Sequence, residues 1–247
     1  MNGKLMGHPR LSNFRSLQTL RLKASSWIED GLDKLTNLRK FGINGDVSSH
    51  HKALSNAIEK WCNLRSLSLR NSSSIPPFVS FAHYLNLCKM FLHGRIKNLP
   101  KKPPNLAKLT LIGSQLQQDA IETLEKLRNP RVLRLEQEPY CSEKMICSSG
   151  GFPRLEFLVL DSSNLKEWIV EEGGFPCLEF LELNCSNIKE WIVEEGGFPR
   201  LEVLELDYSN IKEWVAEKGA LKSLKKVMLG PHAHLKTHPK QIVHLLE

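Results

Sequence analysis

Three consecutive stretches, 150–172, 173–195 and 196–218, carry large apolar residues in one recurring frame. GGFPRLEFLVLDSSNLKEWIVEE, GGFPCLEFLELNCSNIKEWIVEE and GGFPRLEVLELDYSNIKEWVAEK align without a gap at a period of 23 residues. Each contains an apolar residue at positions 1, 4 and 6 of a short frame: Leu155/Leu158/Leu160, Leu178/Leu181/Leu183 and Leu201/Leu204/Leu206, followed by a degenerate Leu224/Val227/Leu229. The frame also reads backwards along the chain through Leu17/Leu20/Leu22, Leu38/Phe41/Ile43, Leu64/Leu67/Leu69, Leu87/Met90/Leu92 and Leu106/Leu109/Leu111, while Pro130/Leu133/Leu135 fits with its first position replaced. The ten anchors, at 17, 38, 64, 87, 106, 130, 155, 178, 201 and 224, are 21, 26, 23, 19, 24, 25, 23, 23 and 23 residues apart. Alternate side chains of an extended strand face opposite ways. Positions 4 and 6 therefore point inward, and positions 3, 5 and 7 point out.

A repeat of this length with an L-x-x-L-x-L frame is the leucine-rich-repeat pattern. It predicts an α/β solenoid, horseshoe-shaped, with a parallel β-sheet on the concave face and irregular loops and short helices on the convex face. One array of about ten repeats then fills residues 1–247 as a single domain. A single repeat buries only a few large side chains, worth about 1.5–3 kcal/mol each. Ordering its backbone costs about 1–2 kcal/mol per residue, so stacking on neighbours is obligatory.

The return path of each repeat contains NLKEWIVEEGGFP or a near copy. Trp168, Trp191 and Trp214 recur at equivalent places, which predicts a buried ladder of stacked rings. The glycine pairs at 150/151, 173/174 and 196/197 permit a turn, and the following proline keeps the approach to the next strand extended. Glu171/Glu172 and Glu194/Glu195 read as solvated loop charge, because adjacent carboxylates copied once per coil lack the facing geometry of glycoside hydrolysis. HKALSNAIEKW places Leu54, Ala57, Ile58 and Trp61 at helical spacing, and DAIETLEKL opens with Asp119 and Glu122 in the positions of a capping box. CSEKMICSSGG, 141–151, shows no periodicity and reads as a mobile polar loop.

The chain has 34 Lys plus Arg against 27 Asp plus Glu, a net charge of +7. No apolar stretch approaches the roughly 20 residues of a membrane span, and the start lacks the apolar run of an export signal. The six cysteines show neither a Cys-x-x-Cys pair nor zinc-finger spacing and read as free thiols. His232, His234 and His238 form a loose cluster without an acidic or Cys partner, and no G-x-S-x-G or phosphate-binding loop occurs. These features predict no enzyme, no cofactor and no metal site.

The outward strand residues are free of fold constraints and separate by charge. The first three strands supply Arg21, Lys23, Arg39, Lys40, Arg65 and Arg70 without an acid. The strands anchored at 155, 178 and 201 supply Glu156, Asp161, Glu179, Glu182, Glu202, Glu205 and Asp207 without a base. Glu156, Glu179 and Glu202 would form a ladder of like charges about 4.8 Å apart, costly unless compensated. Phe157, Phe180 and Val203 make an apolar stripe between the carboxylates, the anatomy of a protein interface. The change from basic to acidic surface disfavours tracking of a nucleic-acid backbone.

FPRLEFLVLDSSNLKEWIVEEGGFPCLEFLEL, with LTNLRKFGI, PPNLAKLTLIGSQLQQDAIETLEKLRNPRVLRL and SLKKVMLGPHAHLKTHP, resembles the C-terminal repeats of plant coiled-coil nucleotide-binding disease-resistance proteins. The resemblance covers almost the whole chain. It implies a cytoplasmic, non-enzymatic recognition and autoinhibition module of plant innate immunity. Its partners would be a pathogen effector or guarded host protein and the receptor's nucleotide-binding module, the latter contacting the basic strands. The chain itself contains no nucleotide-binding or coiled-coil domain. The alternatives are a substrate adaptor for ubiquitin transfer, a ligase enzyme carried on repeats, and a truncated stand-alone paralogue acting as a decoy. An F-box would have to fit within the sixteen residues before the first anchor, and a catalytic Cys domain within the last twenty or so.

Overall fold

The computed structural model describes residues 11–75, 81, 83–97, 99 and 103–246. It comprises two compact units, Met1–Leu106 and Ala107–Glu247.

In the first unit β1 (Thr19–Lys23), β2 (Lys40–Asn44), β3 (Ser66–Ser74) and β4 (Lys89–Arg95) lie parallel in chain order. Frame position 4 runs in register through Leu20, Phe41, Leu67 and Met90, and position 6 through Leu22, Ile43, Leu69 and Leu92. The widest spacing accommodates helix α1 (His51–Glu59), whose Leu54, Ala57 and Ile58 are buried, as the apolar periodicity predicts. Trp61 follows it and packs against Phe41 with ring centroids 4.6 Å apart.

In the second unit β5 (Lys108–Ile112), β6 (Val132–Glu136), β8 (Phe157–Asp161), β10 (Phe180–Asn184), β12 (Val203–Leu206) and β15 (Lys226–Leu229) form the corresponding parallel sheet. Here Leu109, Leu133, Leu158, Leu181 and Leu204 share one buried row, which ends at half-buried Val227. Helix α2 (Gln118–Glu125) lies on the return side. Its predicted capping box does not form: the cap position is Gln117, without a side-chain cap bond, so Asp119 already lies inside the first turn.

The return path of this unit is more regular than the sequence suggests. β7 (Lys144–Cys147), β9 (Glu167–Val170), β11 (Glu190–Val193) and β14 (Glu213–Ala216) make a second parallel sheet. Glu-Trp-Ile-Val alternates, so Trp and Val face the core while Glu and Ile face out. Residues 144–147, expected to lie in a loop, form the first strand of this sheet because Met145 takes the tryptophan's place and Cys147 the valine's. β13 (Asn210–Ile211) and β16 (His234–Leu235) form a short additional pair.

Trp168 and Trp191 stack at 5.5 Å, and Trp191 and Trp214 at 4.6 Å. Beside them Phe152, Phe175 and Phe198 stack at 4.9 and 5.1 Å. The two glycines of each turn serve different ends. Gly173 has φ +64°, and a Cβ added to Gly174 would lie 2.8 Å from Val170 Cγ1. The first supplies backbone freedom, and the second supplies room.

Candidate protein-recognition surface

The open face of the first unit's sheet is built from rows of outward residues one strand apart. Position 3 gives Thr19, Lys40, Ser66 and Lys89, position 5 gives Arg21, Gly42, Ser68 and Phe91, and position 7 gives Lys23, Asn44, Arg70 and His93. Arg39 and Arg65 stand just before β2 and β3. All six predicted cations, Arg21, Lys23, Arg39, Lys40, Arg65 and Arg70, are exposed. The ion pairs among the unit's described residues, Lys60 with Asp33 at 2.7 Å and His50 with Glu29 at 2.8 Å, involve none of them. Arg21 lies across β2, where a Cβ on Gly42 would come within 3.1 Å of its Cγ. The Arg70 guanidinium sits 4.3 Å from the Phe91 ring centre. Lys89, beyond the three strands predicted to be basic, extends this face onto the fourth strand and follows the anchor Leu87 by the same two residues that separate Lys40 from Leu38.

The second unit presents the acidic and aromatic face. Phe157 and Phe180, in register on β8 and β10, stack with centroids 4.5 Å apart and planes 2° from parallel. Their neighbours in the same row are Val132 on β6 and Val203 on β12. On the Val132 side the Arg134 guanidinium lies 5.0 Å from the Phe157 centroid and pairs with Glu136 at 3.1 Å.

The predicted ladder of Glu156, Glu179 and Glu202 is compensated at its ends. Successive backbone bonds link Arg131, Glu156, Glu179, Glu202 and Lys225 across five strands. Arg131 pairs with Glu156 at 2.8 Å and Lys225 with Glu202 at 2.7 Å. The compensating cations stand just before β6 and β15, on either side of the three acidic strands. Glu179 remains exposed and enters no ion pair among the described residues. In the next acidic row Glu182 and Glu205 are direct partners on adjacent strands, and Glu182 accepts a bond from Asn184 Nδ2 at 3.0 Å. Asp161 accepts a bond from the Gln137 N–H at 3.3 Å. Burial holds its carboxyl above the ordinary range, helped by nearby Glu138 and Glu136 and opposed by that bond. Asp207 lies against Gly230, where an added Cβ would fall 2.4 Å from the carboxylate.

The paired glutamates of the return path divide in role. Glu171 accepts a bond from the Ser149 N–H, Glu194 from the Glu172 N–H and Glu217 from the Glu195 N–H, each at 3.1 Å. The first glutamate therefore ties its coil to the preceding one, contrary to the expectation that both face only water. Buried Glu125 braces in the opposite direction, accepting a bond from the Ser148 N–H of the following coil at 2.9 Å. Beside it, burial pushes the Cys147 thiol up to about 12, and the Trp168 indole donates to its sulfur at 3.4 Å. His232 stacks on Tyr208 at 4.5 Å, and no metal-binding group of three His, Cys, Asp or Glu occurs among the described residues. No helix among the described residues is long and apolar enough to cross a membrane.

Stacked L-x-x-L-x-L strands with ordered outward rows define a repeat protein whose constant residues build the core and whose variable residues build a surface. The chain belongs to the leucine-rich repeat family: the model of the leucine-rich repeat region matches residues 3–172. It is similar to three Arabidopsis thaliana proteins, at 30% identity over 146 residues to disease resistance RPP8-like protein 3, at 32% over 148 to disease resistance protein RPP8, and at 33% over 169 to putative disease resistance protein At1g59780. These matches cover 56%, 56% and 65% of the chain but 16%, 16% and 17% of the relatives. The chain thus spans about a sixth of their length. The similarity agrees with the resemblance to plant disease-resistance repeats drawn from the sequence.

Proposed function

We propose that this chain is a non-enzymatic protein-recognition and autoinhibition module of plant defence, a single array of about ten repeats acting in the cytoplasm. Its acidic and aromatic strands take a pathogen effector or a guarded host protein, and its basic strands hold a nucleotide-binding module. The observation that carries this reading is the exposed run of cations in the first unit, in which Arg21, Lys23, Arg39, Lys40, Arg65 and Arg70 enter no ion pair among the described residues. Like charges gathered on neighbouring strands repel one another. A partner with acidic side chains relieves that repulsion and speeds docking. The names of the similar proteins place related repeats in disease resistance and support the same reading.

The test is co-expression with the nucleotide-binding module of a plant disease-resistance receptor of the resembled kind. The wild-type repeats are expected to co-purify with it, and Arg39→Glu/Lys40→Glu/Arg65→Glu, which changes exposed positions and leaves the core intact, is expected to abolish the association. No association by wild type, or equal association by the triple variant, overturns the docking proposal.

A further inference from the structure

The aromatic pair on the second unit has two ends, and this chain fills one of them. Across β6, β8, β10 and β12 the position-3 row reads Val132, Phe157, Phe180, Val203. Because the rings lie parallel and face each other, Phe157 turns its other face toward Val132, and Phe180 turns its other face toward Val203. Valine is shorter than phenylalanine, so each ring reaches beyond its valine neighbour. Above Val132, position 5 of β6 is Arg134, and its guanidinium occupies the Phe157 face while pairing with Glu136. Above Val203, position 5 of β12 is Glu205, in register with Glu182 on β10. Glu179, exposed, immediately precedes Phe180 in the chain. None of these three carboxylates pairs with a cation among the described residues, and Lys226, beside Val203 on β15, enters no ion pair among them either.

We propose that the Phe180 face is a subsite for an arginine side chain of a partner protein. The guanidinium stacks over the ring above Val203 and donates to Glu205, Glu182 and Glu179, reproducing between chains what Arg134 does within this one. Arginine fits better than lysine, since its planar group both stacks on the ring and donates to more than one carboxylate. The inference rests on the reading of this face as a protein-binding surface, and it names the chemistry of what binds there.

The probe is a capped nonapeptide, three repeats of Gly-Arg-Gly, titrated by calorimetry at low salt into the full chain, with the three-repeat Gly-Lys-Gly peptide as comparison. The arginine peptide is expected to bind at least fivefold more tightly than the lysine peptide. Phe180→Leu and Glu205→Gln are each expected to weaken it about tenfold or more, and Glu172→Gln on the return side to leave it unchanged. Glu205→Arg places on β12 the residue that β6 carries and is expected to fill the face from within, abolishing binding while the fold is retained. Absence of arginine-peptide binding, equal binding of both peptides, or insensitivity to Phe180→Leu overturns the subsite. Loss of the subsite with retained docking of the nucleotide-binding module strikes this inference alone, because the two tests address different units.

Discussion

At the residue scale, position in the repeat decides what an ionisable group does. Glu194 and Glu195 are neighbours of identical chemistry, yet one accepts a backbone bond from the preceding coil and the other donates its own N–H to the next. A hydrogen bond to a charged group contributes about 1.5–3 kcal/mol when well shielded and less near solvent. Glu194→Ala is expected to lower stability by about 1 kcal/mol, whereas Glu195→Ala, which keeps its N–H, is expected to stay within about 0.5 kcal/mol of wild type. Urea denaturation of both variants checks the difference, and equal effects would remove the bridging role. The carboxylates are legible in the sequence but their division is not, because the donor lies about one coil away in the chain and only the stacked register brings it near.

At the element scale, the repeats contain two kinds of strand. The inner strands were legible throughout, since each carries two large apolar residues at fixed positions, fully buried on the strands between β1 and β15, and the frame survives even where Pro130 replaces its first leucine. The second sheet was hidden by its brevity: four residues of alternation, in Glu-Trp-Ile-Val or Lys-Met-Ile-Cys, carry little periodic signal by themselves. Its first strand was further disguised because Met145 replaces tryptophan and because Glu143-Lys144 reverses the Lys166-Glu167 order. That reversal is itself stabilising, placing Lys144 beside Glu167 at 2.7 Å and Lys166 beside Glu143. Trp191 packs between Trp168 and Trp214 and is fully buried, so Trp191→Ala is expected to cost about 3–5 kcal/mol. Trp191→Phe, which keeps a ring in the stack, is expected to cost less than half as much; comparable losses in thermal denaturation would show that a smaller ring retained in the stack does not stabilise it.

At the scale of the whole molecule, stability in repeat proteins is roughly a sum of units and the interfaces between neighbours. The unit Ala107–Glu247 contains three successive repeats at one spacing, joined by stacked Trp and Phe rings. The unit Met1–Leu106 has varied spacings and half-buried Leu20 and Leu22 on its first strand. Amide hydrogen exchange is therefore expected to be slowest at residues such as Leu181 and Leu204 and faster by at least tenfold at Leu20 and Leu22. Exchange at the same rate in both sets would show that interface regularity does not govern local opening. Charge division was legible from sequence because outward positions follow directly from the frame. The ion pairs of Arg131 and Lys225 were not, because they join strands beyond the three compared, and neither was the stacking geometry of Phe157 and Phe180.

The Gly-Gly turn with its glutamate brace has a consequence for how such an array changes length. The joint between residues 150–172 and 173–195 uses the same ring stacks, the same brace and the same turn as the joint between 173–195 and 196–218. Duplicating or deleting one 23-residue stretch in frame therefore creates no unfamiliar seam: every new neighbour meets a surface already shaped for it. What such an event does alter is the exposed face, adding or removing two or three carboxylates and one Phe or Val of the apolar row while the scaffold stays whole. A gene built this way can try out new binding faces by slipped copying alone.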